Sequence, residues 1–153
     1  RAIAPLNRES GENPYLLHDE LQEIMHKNVN IVRNAEDLKK GLEQIEALKP
    51  RLANVKAHGS SQFNPGWHEA LSLSSLILTA EMVTRTAIIR EESRGAHTRL
   101  DFVGESKEWE KYELIVSKDE TGVKVDKRER PAAPPELEAI ALATLEDLEN
   151  NNV

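Results

Sequence analysis

Residues 64–89 read NPGWHEALSLSSLILTAEMVTRTAII. Asn64-Pro65 is a helix start. Asn caps free N–H groups, and Pro is tolerated in the first turn, where its missing N–H costs nothing. From Trp67 to Ile89 apolar residues recur almost without interruption: Trp67, Leu71, Leu73, Leu76, Ile77, Leu78, Met82, Val83, Ile88 and Ile89. They fall on more than one helical face, so the spacing predicts a central helix buried on several sides. At 1.5 Å per residue it runs roughly 35–40 Å. Ser72, Ser74, Ser75, Thr79, Glu81 and Arg85 argue against a membrane span.

Two helices precede it. Asn13-Pro14 repeats the start signal, and Leu17, Leu21, Ile24 and Met25 follow at helical spacing to about Asn28. Asn34 opens the second, with Glu36 and Asp37 favourable in its first turn. Leu38, Leu42, Ile45 and Leu52 form its stripe, Gly41 weakens it, and Pro50 kinks or restarts it. Residues 1–12 read as a polar lead-in, and 58–61 as a loop. After the central helix the period changes. Trp109–Val116 and Val123–Lys127 alternate as strands around the turn residues Asp119, Glu120, Thr121 and Gly122. Arg130-Pro131-Ala132-Ala133-Pro134-Pro135 is a stiff extended connector. Leu137, Ile140, Ala141, Leu145 and Leu148 space a last helix over Glu136–Glu149, followed by an Asn-rich tail expected to fray. The expected fold is mainly α: a helical hairpin and a long central helix in a three-helix bundle, then a small β-hairpin and a C-terminal helix. The bundle takes 1–104, the hairpin extension 105–130, and the connector with its helix 131–153, all in one domain.

Composition narrows the function. The 153 residues suffice for one domain and a real core. Aromatics are only 4%, which favours helix-on-helix packing. The net charge is -7, a poor match for nucleic acid, whose phosphates need Lys and Arg. There is no cysteine, so disulfides, thiolate catalysis and thiolate metal sites are excluded. The five histidines lack chelate spacing, and no metal site is expected. Serines 72, 74 and 75 lie within a helix and have no strained turn or neighbouring base to make a nucleophile. The seven glycines form neither a dinucleotide fingerprint nor a P-loop.

The densest polar cluster follows the central helix. Residues 90–102 read REESRGAHTRLDF. Arg90, Arg94 and Arg99 offer planar forks for carboxylates, phosphates or carbonyls, with Glu91, Glu92 and Asp101 as near partners. Cations near a helix end complement its negative pole. Gly95 fits a left-handed helix C-cap. The cluster reads as a helix terminator with an ion-pair network, as an interface, or as both.

Arg90-x-Glu92-Ser93-Arg94-Gly95-Ala96-His97-x-Arg99-x-Asp101-Phe102 resembles the R-x-E-S-R-G-A-H-x-R-x-D-F-P signature of the flavoprotein subunits of succinate dehydrogenase and fumarate reductase. Leu21-Gln22-x-x-Met25, Asn64-x-x-Trp67-x-x-Ala70-Leu71, Trp109-x-Lys111, and Arg130-Pro131 with Pro134-Pro135 resemble further stretches of that family in the same order. Val103 stands where the family usually has Pro, Leu100 where a charged residue is common, and Tyr112-Glu113 follow Lys111 where the family has His.

The resemblance implies a C-terminal helical domain that packs on an upstream FAD-binding domain. In such enzymes a hydride passes between succinate or fumarate and flavin, and electrons go on to an iron–sulfur subunit beside membrane-anchor subunits. The FAD glycine motif and the active-site arginine and histidines lie upstream in that family. The resemblance therefore implies no catalytic, cofactor-binding or metal residue in this chain, and an interdomain or helix-capping role for Arg90, Glu92, Ser93, Arg94, Gly95, Ala96, His97, Arg99, Asp101 and Phe102. It implies no membrane insertion, and a peripheral place on the cytoplasmic face of a bacterial or archaeal membrane or in the cytoplasm. A first residue of Arg, not Met, is expected of a piece of something longer. L-Aspartate oxidase shares the E-S-R-G core, whereas Ala96-His97-x-Arg99 favours the dicarboxylate oxidoreductases. A stand-alone helical interaction module is the other reading.

Overall fold

The computed structural model describes residues 2–120 and 122–149. Thr121 of the expected turn and the Asn-rich 150–153 lie outside the described residues.

Helices α2 (Pro14–Ile24), α3 (Ala35–Leu48) and α4 (Pro65–Ile89) form the bundle, and a short α1 (Ala4–Asn7) precedes them inside the expected lead-in. The same device starts all three bundle helices. The side chains of Asn13, Asn34 and Asn64 accept from the N–H of Tyr15, Asp37 and Trp67 respectively. The core joins Leu17, Leu21, Ile24, Leu38, Ile45, Leu48, Leu73 and Ile77 across the three helices. Pro50 ends α3 and opens a 3₁₀ turn over Pro50–Asn54.

The first helix ends about where its spacing does, but its last turn, Met25–Val29, is a π-turn rather than α. Gly41 is no mere weak point: a Cβ there would lie 2.9 Å from Asn28 Cβ, so glycine lets α3 close on the π-turn. The central helix is buried along one face, not on several sides. Leu73, Ile77, Ala80, Glu81, Thr84 and Ala87 are buried, while Leu71, Leu76, Leu78 and Val83 stay exposed. By length and composition alone α4 could cross a membrane. Its inner face is instead the floor on which α2 and α3 pack.

Beyond α4 the chain makes β2 (Thr98–Arg99), which pairs in parallel with β1 (Val32–Arg33) before α3. A 3₁₀ turn over Trp109–Lys111 then feeds the antiparallel hairpin of β3 (Tyr112–Asp119) and β4 (Gly122–Glu129). The first strand starts and ends three residues later than the alternation suggests, because Trp109–Lys111 is a turn. β4 is longer at both ends, and pairing runs up to Asp119 opposite Gly122, so the loop is tighter. The hairpin leans on α4. The last helix is two pieces, α5 (Pro135–Leu142) and α6 (Leu145–Glu149). Thr144 restarts the helix: its hydroxyl accepts from Asp147 N–H at 3.2 Å while Asp147 Oδ2 accepts from Thr144 N–H at 3.0 Å, a reciprocal cap.

Candidate functional site

The polar turn after α4 fastens three parts of the fold together. Arg99 is 2% exposed. Its Nη1 donates to the carbonyls of Ala87 (2.8 Å), Ile88 (3.2 Å) and Arg90 (3.3 Å), the acceptors that the end of α4 leaves open. Its Nε and Nη2 grip Asp101 Oδ1 and Oδ2 at 2.7 and 2.8 Å. Asp101 Oδ2 also accepts from Ala35 N–H (2.9 Å), at the start of α3. One ion pair thus places a cation at the negative end of α4 and an anion at the positive end of α3. Arg99 holds the Asp101 carboxyl far below the usual carboxylate range, against the opposing pull of partial burial.

Glu92 is the second node and is 1% exposed. Arg90 and Arg94 both donate to it, Arg94 Nε at 3.2 Å, and Ser106 N–H adds a bond of 2.9 Å. Burial alone would raise its pKa; the bonds from Arg94, Ser106 and Arg90 outweigh that and lower it. Arg94 reaches on to Glu105 (3.2 Å) and Glu110 (3.5 Å). Arg90 lies 5.4 Å from the Trp109 ring centroid, and Lys127 of β4 lies 4.2 Å from the same ring. Glu92 and Trp109 therefore tie the base of the hairpin to the end of α4.

Ser93 and His97 shape the backbone between these nodes. Ser93 Oγ accepts from Arg99 N–H (2.8 Å) and faces the carbonyls of Phe102 (2.9 Å) and Arg99 (3.1 Å). Arg94 and His97 exchange both backbone bonds, at 2.9 and 3.0 Å, around Gly95 and Ala96. Gly95 has φ +57° with open space where a Cβ would stand, so conformation rather than room calls for glycine. It is not the cap of α4 that the sequence suggests; the helix ends at Ile89, before the turn begins. Phe102 lies under the Arg99 guanidinium, 4.8 Å from ring centroid to Cζ.

His97 connects the turn to β1. Its Nδ1 is 2.7 Å from Arg33 Nη1 and its Nε2 is 3.0 Å from the Arg90 carbonyl. Arg33 can only donate, so Nδ1 accepts, and the ring proton sits on Nε2 facing the carbonyl. Burial lowers the His97 pKa; the Arg90 carbonyl opposes this, and Arg33, Arg99 and Arg90 add to the lowering.

The sequence reading missed Arg33, Glu81 and Glu12. Arg33 lies far from the turn in sequence and carries no local signal. Glu81 is 1% exposed in α4, 2.6 Å from Lys49 and 2.9 Å from Arg85. The i,i+4 pair Glu81–Arg85 inside an apolar helix is a readable sign. Arg51 grips Glu12 through Nε (3.0 Å) and Nη2 (2.7 Å) and reaches Glu20 at 2.8 Å, locking the lead-in to the bundle.

Residues 18–144 match the family described as fumarate reductase flavoprotein C-term. The chain belongs to this family. It is 37% identical over 118 residues to a polypeptide of the fumarate reductase (CoM/CoB) of Methanothermobacter marburgensis, covering 77% of this chain and 22% of that relative. It is 37% identical over 106 residues to a succinate dehydrogenase flavoprotein subunit of Coxiella burnetii, covering 66% of this chain and 18% of the relative. The solved structure of Mycobacterium smegmatis Sdh1 in complex with UQ1 superposes with a TM-score of 0.80 at 35% identity, over 97% of this chain and 25% of that one. The chain thus spans about a fifth to a quarter of the length of these three proteins.

Among the described residues, no turn has the form that the pyrophosphate of a flavin dinucleotide needs. A pyrophosphate needs a glycine-rich strand-to-helix turn with free N–H groups. Here the N-termini of α2, α3 and α4 each give one N–H to their own Asn side chain, and none follows a glycine-rich strand-to-helix turn. No group of three or more His, Asp or Glu able to hold a metal occurs among the described residues.

Proposed function

We propose that this chain serves as the C-terminal helical domain of a flavoprotein that interconverts succinate and fumarate, and that its part is to hold shape rather than to do chemistry. The observation that carries this is how the signature arginines are used. Arg90, Arg94 and Arg99 all bind carboxylates of the chain itself, and Arg99 also binds the carbonyls that end α4. A turn that spends its cations on its own fold supports a structural role. FAD belongs to an upstream domain, on which the signature face packs. When bound there it accepts or gives the hydride. Membrane anchors and an iron–sulfur protein are the further partners, with the flavoprotein peripheral on the cytoplasmic face.

Steady-state assays of the purified native protein on succinate, fumarate and L-aspartate test the reading. Turnover of the dicarboxylate pair supports it; turnover of L-aspartate alone would replace it with the oxidase reading. Arg94→Ala should weaken docking of the domain on the rest of the flavoprotein more than it weakens the isolated fold. Limited proteolysis of the full-length variant against thermal melting of the isolated chain separates the two effects.

A further inference from the structure

Arg33 is a half-buried arginine that the fold leaves without an acid. Its neighbours Arg90, Arg94 and Arg99 each pair with a carboxylate, whereas no carboxylate among the described residues pairs with Arg33. Its Nε donates to the carbonyls of Val29 and Asn30 and its Nη1 to His97 Nδ1, which leaves Nη2 with no bond among the described residues. Taking a guanidinium out of water without an opposing charge is costly. Burial and the nearby Arg99 charge both lower the Arg33 pKa. In a chain of net charge -7, the lack of an acid is particular to this place.

Arg33 lines an open pocket of about 330 Å³ among β1, the last turns of α4, the signature turn and β3. That volume is at the small end of ligand pockets. Arg33, Arg90 and His97 bring nitrogen donors to it, Val83, Ala87 and Leu114 bring apolar surface, and no acid lines it. Arg90 gives Nη2 to Glu92. The carbonyls that end α4 would repel an anion, but they are covered: Arg99 bonds those of Ala87 and Ile88, and His97 Nε2 faces that of Arg90.

We propose that this pocket binds a carboxylate carried on a short apolar stem. Guanidinium forks match the two oxygens of a carboxylate. Val83, Ala87 and Leu114 receive a carbon stem, which inorganic phosphate lacks. The same chemistry serves a small solute acid and an Asp or Glu side chain of a neighbouring segment. The pocket is built wholly from this chain, so its chemistry does not depend on the flavoprotein reading.

The test has His97 as its reporter. In the 153-residue chain, the His97 ring Cε1–H resonance, assigned with His97→Gln, is followed by NMR as sodium butyrate is added at constant ionic strength, with sodium phosphate as the comparison anion. A saturating shift is expected with butyrate at roughly millimolar concentration, and a response at least tenfold weaker with phosphate. Arg33→Gln should weaken butyrate binding at least tenfold. Arg33 also holds the Val29 and Asn30 carbonyls, so a second variant leaves those bonds alone: Val83→Glu, at a position 38% exposed, sets a fixed carboxylate at the pocket and should abolish the shift. No saturating shift, an equal response to phosphate, or undiminished binding in Val83→Glu overturns the proposal. The native protein then separates the two sources. Butyrate binding read there by saturation-transfer NMR, and lost in Val83→Glu, assigns the pocket to a solute acid. Loss of butyrate binding together with carbodiimide coupling of an Asp or Glu to the lysine of Arg33→Lys assigns it to a side chain. Loss without coupling overturns the proposal.

Discussion

Arg99 shows how one side chain does two jobs at once. A guanidinium removed from water is costly unless every donor finds a partner. Here the partners are the carbonyls at the end of α4 and a bidentate carboxylate. Arg99→Met keeps the bulk but leaves Asp101 and the carbonyls unpaired. The expected loss is about 3–5 kcal/mol, the range for breaking a buried pair, measured by urea unfolding. Asp101 and Glu92 set the acid limb of stability. Both have lowered pKa values in the fold. Their contribution is therefore complete above the unfolded value of about 4 and is lost as pH falls below it. His97 acts in the same direction at higher pH. Its folded pKa is lowered, so the neutral ring favours the fold above the unfolded pKa of about 6.5, and protonation costs stability as pH falls below that. Unfolding midpoints between pH 7.5 and 5 should fall in the wild type and fall less in His97→Gln; equal slopes would show that His97 does not titrate against the fold.

Gly41 sets a contest between two effects at the level of elements. In an exposed helix, Gly→Ala gains about 1 kcal/mol of propensity. At α3 the new Cβ would press on Asn28 Cβ at 2.9 Å and on Val29 at 3.1 Å. Overpacking costs about 1–3 kcal/mol, so Gly41→Ala is expected to destabilise on balance. A raised melting temperature would show that the π-turn yields. The same elements show what is legible in advance. Helix starts are legible because Asn-Pro and Asn-x-x-Asp state their chemistry locally. The inner face of α4 is half legible: its apolar residues exceed what one face can hold, and periodicity does not say which of them meet a partner. The parallel pairing of β1 with β2 is not legible, since two-residue strands some 65 positions apart have no pattern of their own. The left-handed conformation of Gly95 is legible but its place is not, because conformation is local and position is set by where α4 ends. In the signature, the residues named from sequence do converge, on Glu92 and on Arg99–Asp101. Arg33, which completes it, sits beside it in space but 64 positions earlier in the chain.

For the whole molecule, the folded chain has a core of its own and a fastened signature, yet it spans about a fifth to a quarter of the three relatives described. Its described residues lack the phosphate-binding geometry a flavin needs. The purified chain alone is therefore expected to be colourless and inactive with succinate or fumarate; a stoichiometric flavin absorbance in it would overturn that. A scaffolding domain requires a larger native flavoprotein around it. The most direct test is the size and flavin content of the native polypeptide, detected with an antibody to this chain after fractionation of source cells. The account predicts a single species several times larger than 17.2 kDa, co-eluting with flavin absorbance. A native species at 17.2 kDa without flavin would contradict it.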